Sequence, residues 1–269
     1  MPLLKGAEPY QNLLDSPSGR AVGVLLCHGF SGSPAGMRPW AEHLVGHGYS
    51  ALAPRLPGHG TRWQDLNLTR WPDWYGEVER ALARLAAHSR HIVVAGMSMG
   101  GALALRLTQE YAGTGSKSLG DRLVGTMLVN PSLATERRDA PLLPLLRYVV
   151  GAFPGITNDI AKPGQDEVGY NRLPLQAAYS LQQLWKVCRQ DLAAVTTPVV
   201  LYRSSVDHVV ESVSSKMLLE GISSDDVRQR ILPRSYHVAT LDYDADFIFA
   251  DSVQWIDEHV PARSETAPY

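Results

Sequence analysis

A serine stands alone between two glycines in Gly96-Met97-Ser98-Met99-Gly100. The run before it, HIVVA, is β-branched and apolar, and the run after it, GALALRL, is rich in alanine and leucine. Ser98 therefore sits where a strand-former meets a helix-former. A hydroxyl at such a joint projects out of both elements and faces the positive end of the following helix. G-x-S-x-G in that setting is the pattern of a serine nucleophile, although the pentapeptide without its flanking strand and helix would be a weak signal. The glycines have a steric reason: lacking Cβ atoms, Gly96 and Gly100 let strand and helix backbones approach while Ser98 takes a conformation that L-residues avoid.

A serine hydroxyl is inert until a base takes its proton, and the base needs an acid to hold its tautomer and stabilise its cation. In a chain of this type the partners follow in order, first an acid and then a histidine, each on a loop after a later strand. Asp207, in RSSVDHVV, follows the apolar run PVVLYRS; His237, in PRSYHVATLD, follows VRQRILP. His208 adjoins the acid, and as base it would share that short loop and leave His237 without a role. His43 and His47 are one helical turn apart but lack the glutamate of H-E-x-x-H and a third ligand, so they read as helix-surface residues, and no metal or organic cofactor is expected. His59, in LPGHG, is expected to pin a turn, and Asp242 and Asp244 to cap the last helix. The oxygen that turns negative on an attacked carbonyl needs donors. The Met99 N–H, just after the serine, and the Phe30 N–H, in the CHGFSGSP loop, are in place to supply them.

These residues need a frame. Short apolar runs at 23–27, 50–56, 91–96, 125–130, 198–204 and 227–233 predict strands. Helix-period segments at 37–48, 73–88, 99–111, 212–222 and 244–259 lie between most of them. Alternating elements whose strands are apolar throughout predict an α/β fold, a mostly parallel sheet covered by helices on both faces. From Asn130 to Pro198 no convincing strand occurs, and so long an excursion predicts a small helical cap. Residues 1–130 and 198–269 then form the core, and 131–197 the cap insertion plus a helix returning to the core. The stretch 111–122 reads as an exposed flexible loop and the final PARSETAPY as a frayed end.

The 269 residues carry a net charge of −2 with both signs interspersed, so there is no basic footprint for nucleic acid. Cys27 and Cys188 are the two cysteines, without a CxxC pair, and read as buried thiols. The start of the chain lacks the features of a signal peptide, which gives a cytoplasmic expectation. The apolar stretch 141–156 is broken by three prolines and Arg147 and is shorter than the ~20 residues needed to span a bilayer. It is expected to touch lipid or a greasy ligand without crossing a membrane.

With HGFSGSP, LPGHG, GMSMG, DHVV and YHVATLD all present, the chain resembles the α/β-hydrolase superfamily from about residue 20 to 260, and within it the bacterial monoacylglycerol lipases and small carboxylesterases. The resemblance implies a serine esterase with Ser98 as nucleophile, Asp207 as acid, His237 as base, and the Phe30 and Met99 N–H groups as oxyanion hole. It implies release of glycerol and fatty acid through an acyl-enzyme. It also implies Ile156 at the mouth of an acyl tunnel and Glu167, in QDEVGY, on a hydroxyl of the alcohol. The partner is then a small lipid ester, with the cap in transient contact with a membrane or lipid surface; the oligomeric state is not legible. A broad carboxylesterase or thioesterase fits the same frame, as does a silent binding protein. Dehalogenase and epoxide-hydrolase chemistry is disfavoured, because enzymes of that kind carry Asp where Ser98 stands.

Overall fold

The computed structural model describes residues 2–14, 22–113 and 115–260. In chain order the elements are β1 (Tyr10–Asn12), β2 (Val22–Cys27), α1 (Arg38–Gly46), β3 (Ser50–Ala53), α2 (Trp63–Leu66), α3 (Trp71–His88), β4 (His91–Met97), α4 (Met99–Tyr111) and β5 (Leu123–Val129). There follow α5 (Leu143–Leu146), β6 (Ala152–Pro154), β7 (Arg172–Pro174), α6 (Leu175–Gln190), β8 (Val199–Ser204), α7 (Val213–Gly221), β9 (Val227–Leu232) and α8 (Ala245–His259). Seven of these strands form one sheet in the order β1-β3-β2-β4-β5-β8-β9, antiparallel at β1 and parallel elsewhere.

Two apolar layers explain why the strands read as unbroken hydrophobic runs. Successive side chains of a strand point to opposite faces. In β2, Leu25 and Cys27 join Trp74, Leu103 and Leu184 of α3, α4 and α6, whereas Val24 and Leu26 join Trp40 of α1 and Trp255 of α8. β4 divides the same way, Ile92 and Val94 against Val93 and Ala95. With water excluded from both faces of these central strands, nearly every position is apolar, whereas the edge strand β9, VRQRIL, is mixed in polarity and uncovered along most of its length.

The six predicted sheet strands are present; β3 stops at Ala53 because Pro54 has no N–H to give the ladder. Two features were absent from the sequence reading. β1 is three polar-leaning residues, recognisable only through its antiparallel register, Tyr10 opposite Ala53. The excursion between β5 and β8 contains, besides α5 and a 3-10 turn at Ala140–Leu142, the antiparallel hairpin β6–β7. Its strands are three residues each and both end in proline, so neither length nor alternation betrays them.

The described part of 111–122 is, as expected, a largely exposed loop, and it is pinned at points along its length. A bridge pairs Gly113 with Gly120, and Lys117 Nζ lies 2.5 Å from Glu79 Oε1 and 2.9 Å from Glu110 Oε2. The tail after Val260 lies outside the described residues. Cys27 and Cys188 are buried, and burial pushes both thiols up to about 12, which removes them from thiolate chemistry. No helix among the described residues is long and apolar enough to cross a membrane.

The parallel strands bring one set of loops to one edge. β2 and β4 run in register with Cys27 opposite Gly96, and β8 and β9 with Ser204 opposite Leu232. The segments that follow these strands begin with His28, Ser98, Ser205 and Pro233. They leave from the carboxyl ends of the strands, where open α/β sheets place their ligands.

Candidate active site

Ser98 is the single residue between β4 and α4, and its backbone has φ 56° and ψ −120°. A side-chain-bearing residue holds such a conformation only when its surroundings compel it. Here its N–H donates to the Val129 carbonyl (3.0 Å), and its own carbonyl accepts from the N–H groups of Gly101 (3.0 Å) and Ser132 (3.1 Å). The flanking glycines mark where three backbones touch: a Cβ on Gly96 would lie 2.1 Å from Gly100 O, and one on Gly100 2.0 Å from Cys27 O.

Asp207 follows β8 and His237 follows β9, and the two side chains meet with His237 Nδ1 2.8 Å from Asp207 Oδ2. The second carboxylate oxygen accepts the N–H groups of Val209 (2.9 Å) and Val210 (2.8 Å), which fixes its aim. Burial alone would raise the Asp207 carboxyl, but the bond to His237 and these two N–H groups hold it below the ordinary carboxylate range. Burial likewise works against a cation on His237; the hydrogen bond it donates to Asp207 and the charges of Asp207, Glu167 and Asp159 overcome it, and the imidazole sits above its ordinary range. With Nδ1 engaged, Nε2 is the nitrogen free to exchange protons. His237 and Ser98 line the same cavity, and no hydrogen bond joins them. Contacts of this kind commonly close only around substrate.

Met99 is the first residue of α4, so its N–H has no intrahelical acceptor. Phe30 sits on the loop after β2 and lines the cavity beside Ser98. That loop is braced from behind. His28 donates from Nδ1 to Gly29 O (2.9 Å) and accepts the Leu56 N–H at Nε2 (3.2 Å), a tautomer fixed on both sides. Burial depresses His28 to about 4, so the ring stays neutral. His59 pins its turn as expected, through Nδ1 to Pro57 O (3.1 Å), and its ring packs edge-on against Phe30 and Trp74.

The cavity measures about 300 Å³. An apolar wall is built by Leu143, Leu146, Phe153, Leu173, Leu181 and Trp185, and Ile156 lies at its rim, 54% exposed. Glu167 borders the same space at 8% exposure, with Oε1 accepting from the Asn158 N–H (2.9 Å) and the Thr157 hydroxyl (3.3 Å). Desolvation raises its carboxyl above the ordinary range. It is held there under strain: the next residue, Val168, is β-branched yet has φ 53°. His208 also borders the cavity, but its ring bonds Asp159 (Nδ1 to Oδ1, 2.8 Å) and not Asp207. His43 and His47 stack on each other at the end of α1, outside this cavity.

A family profile described as serine aminopeptidase, S33 (Hydrolase_4) matches residues 20–244. The chain belongs to that family. This S33 hydrolase is 34% identical over 263 residues to a thermostable monoacylglycerol lipase of Bacillus sp. (strain H-257), covering 96% of this chain and 97% of that one. It is 23% identical to a carboxylesterase of Bacillus subtilis (strain 168), over 87% and 92% of the two chains. A solved structure from the metagenome-derived lipolytic enzymes LipS and LipT superposes with a TM-score of 0.87 at 32% identity, over 96% of this chain and all of the other. The fold is that of the α/β-hydrolases.

Several residues that brace the site of this S33 hydrolase escaped the sequence reading. Asn130, with φ 43°, donates from Nδ2 to His237 O (2.8 Å) and Ser204 Oγ (2.9 Å), and accepts the Ser204 N–H at Oδ1 (2.8 Å). One amide thereby ties the ends of β5 and β8 to the histidine loop. Asp242 and Asp244 do not cap α8 through their side chains, as the sequence suggested. Asp242 accepts four N–H groups, from Ala161 (2.7 Å), Lys162 (2.9 Å), Tyr236 (2.9 Å) and Tyr243 (2.8 Å). Asp244 turns back to the Arg234 N–H (2.9 Å) and the Ser235 hydroxyl (2.8 Å). The loop before α8 offers more buried donors than the helix end does, so the carboxylates go there. Position in an Asn-Pro pair was the one available signal for Asn130.

Proposed function

We propose that this S33 hydrolase cleaves monoacylglycerols to glycerol and free fatty acid. Ser98 Oγ attacks the ester carbonyl as His237 Nε2 takes its proton. Asp207 keeps Nδ1 protonated and stabilises the imidazolium, and the Phe30 and Met99 N–H groups receive the developing oxyanion. Collapse of the tetrahedral adduct breaks the ester C–O bond, and His237 returns the proton to the departing glycerol oxygen. A water deprotonated by His237 then attacks the acyl-Ser98 ester, releasing the fatty acid and restoring the hydroxyl. No step calls for a metal or organic cofactor. The observation that carries this reading is one cavity joining Ser98 and His237 to an apolar wall for an acyl chain and to the buried Glu167 carboxylate, an acceptor for a glycerol hydroxyl. The likeness to a monoacylglycerol lipase supports it. In the same reading, residues 131–197 form the cap and its returning helix over a core of 1–130 and 198–269. The buried free thiols fit a reducing compartment such as the cytoplasm.

Hydrolysis rates over a panel of monoacylglycerols, acyl thioesters, aryl esters and aminoacyl anilides test the substrate class. Monoacylglycerols should give the highest kcat/KM; a higher value for thioesters or anilides overturns the proposal. Glu167→Gln should lower kcat/KM for a monoacylglycerol relative to p-nitrophenyl butyrate, which has no glycerol hydroxyl, by about tenfold. That is the loss of one charge-assisted hydrogen bond worth roughly 1.5 kcal/mol.

α5 turns Leu143 and Leu146 to the cavity, while its neighbours Leu142, Leu145, Tyr148 and Val149 are exposed. An apolar patch adjoining an apolar cavity suits transient contact with a membrane or lipid aggregate. The double variant Leu145→Ser/Val149→Ser should sediment with phospholipid vesicles roughly a hundredfold less tightly, since each side chain contributes about 1.5 kcal/mol or more when buried. Unchanged sedimentation would remove the patch from the lipid-binding surface.

A further inference from the structure

Asp159, in the segment between β6 and β7, makes contacts that no local need explains. Its side chain is 10% exposed. Oδ1 accepts from His208 Nδ1 (2.8 Å). Oδ2 accepts two backbone N–H groups, those of His208 (3.2 Å) and His237 (3.1 Å). Its own carbonyl accepts the Val238 N–H (3.1 Å). One residue of the covering segment is thus bonded to the neighbour of Asp207 on the loop after β8, and to His237 and its neighbour on the loop after β9. The Asp207 and His237 side chains are 2.8 Å apart, and the backbones that carry them are joined a second time through Asp159.

Past the strand ends the two loops are joined only near their roots, by the Ser205 N–H to Leu232 O (2.9 Å) and the Ser204 hydroxyl to Tyr236 O (2.8 Å), so the distance between acid and base also depends on what bridges Asp207 and His237 themselves. An oxygen displaced by even 1 Å costs a reaction of this kind up to about a hundredfold. A surface ion pair would contribute little. This carboxylate differs, because two of its three partners are main-chain donors of the catalytic loops and its charge stands near the imidazole.

We propose that Asp159 is a positioning residue for ester hydrolysis, through which the covering segment sets the spacing between the loop of the acid and the loop of the base. The proposal rests on His237 being the base of the reaction given above. Its physical content is that a seated covering segment and an assembled Asp207–His237 pair are one state, because the same carboxylate completes both. The groups that face the His237 imidazole are Asp207 from the loop after β8 and Glu167 and Asp159 from the covering segment. His208, whose ring lies edge-on to Tyr236, faces Asp159 from the opposite side. Asp242 holds the Tyr236 N–H one residue away. Removing the Asp159 charge leaves Asp207 and Glu167 to support the imidazolium, so the free-enzyme base becomes weaker.

The test compares wild type with Asp159→Asn, Asp159→Ala and His208→Ala, each checked for its melting midpoint, using p-nitrophenyl butyrate. Asp159→Asn should lower kcat roughly 10- to 100-fold with KM changed by less than about threefold, and should displace the acid limb of kcat/KM to lower pH. His208→Ala removes one partner and leaves both main-chain bonds, so it should lower kcat by less than about tenfold and in the same direction. A lowered melting midpoint with unchanged kcat and an unmoved acid limb would reduce Asp159 to a structural contact and overturn the proposal. If Asp159→Asn does not fold, an unchanged kcat in His208→Ala overturns it instead. Full activity in His237→Ala, by contrast, removes the assignment of the base on which the proposal stands.

Discussion

Ser98→Ala and His237→Ala each lower kcat by about 10⁴–10⁶-fold, and Ser98→Ala alone removes the site of fluorophosphonate labelling. The magnitude follows from the way the groups act. Without the imidazole the Ser98 hydroxyl keeps its proton; without the hydroxyl the imidazole has nothing to activate. Either loss therefore removes most of what the set provides, and the activity left over comes from the oxyanion donors and binding. Mass spectrometry of the labelled protein should place the phosphonate on Ser98, and labelling of another serine would remove it from the mechanism. His208→Ala is the sharp control, because His208 borders the same cavity and adjoins the acid in sequence. Its ring nitrogen is committed to Asp159, so its loss should cost far less than that of His237. The pH profile carries the same assignment. His237 must be neutral to accept the proton, so kcat/KM falls as pH drops through the pKa of that group in the free enzyme. Since its partners hold it above the usual histidine value, the acid limb should lie above that of an unperturbed imidazole.

Gly100→Ala yields little or no folded, active protein. The added Cβ would stand 2.0 Å from Cys27 O and 2.5 Å from Cys27 C, both main-chain atoms of the central strand β2, so no side-chain rotation relieves the clash. α4 would have to lift from the sheet, and overpacking that moves backbone costs about 3 kcal/mol or more. Such a loss is a large share of the roughly 5–15 kcal/mol that stabilises an ordinary domain. The shift acts on function as well, because the first turn of α4 carries the Met99 N–H and Ser98 precedes it directly. Thermal denaturation alongside the rate of phosphonate labelling checks both parts. A variant with the wild-type midpoint and labelling rate would show that the contact at Cys27 yields easily.

What the chain discloses by itself follows from which interactions are local. The strands of the sheet are legible because burial on both faces forces long apolar runs such as VGVLLC. Ser98 is legible because close approach of backbones demands glycine on either side of it. Asp207 and His237 were drawn from chain order alone, and the structure sets them 2.8 Å apart. The supports were not legible. Asp159, Asn130 and Asp242 are polar residues whose partners are mostly main-chain N–H and C=O groups 49 to 107 positions away or on neighbouring turns, and nothing in their local context marks such a partner. β1, β6 and β7 fail for a related reason: three residues carry no period, and only pairing makes them strands. The exposed loop at 111–122 was legible from its Gly and Ser content, but not its pinning by Lys117 to the distant Glu79 and the nearby Glu110.

The helix α6 is both wall and pillar. Leu175, Ala178 and Trp185 border the cavity, while Leu184 and Cys188 of the same rigid rod are sunk in the layer beneath the sheet. A rod anchored that deeply cannot swing outward without unmaking the interior, so the pocket widens more easily at α5, whose Leu145 and the following Val149 are exposed. Reshaping the pocket from the α6 side therefore draws on the same free energy that keeps the molecule folded, whereas reshaping it from the opposite side leaves that reserve largely untouched.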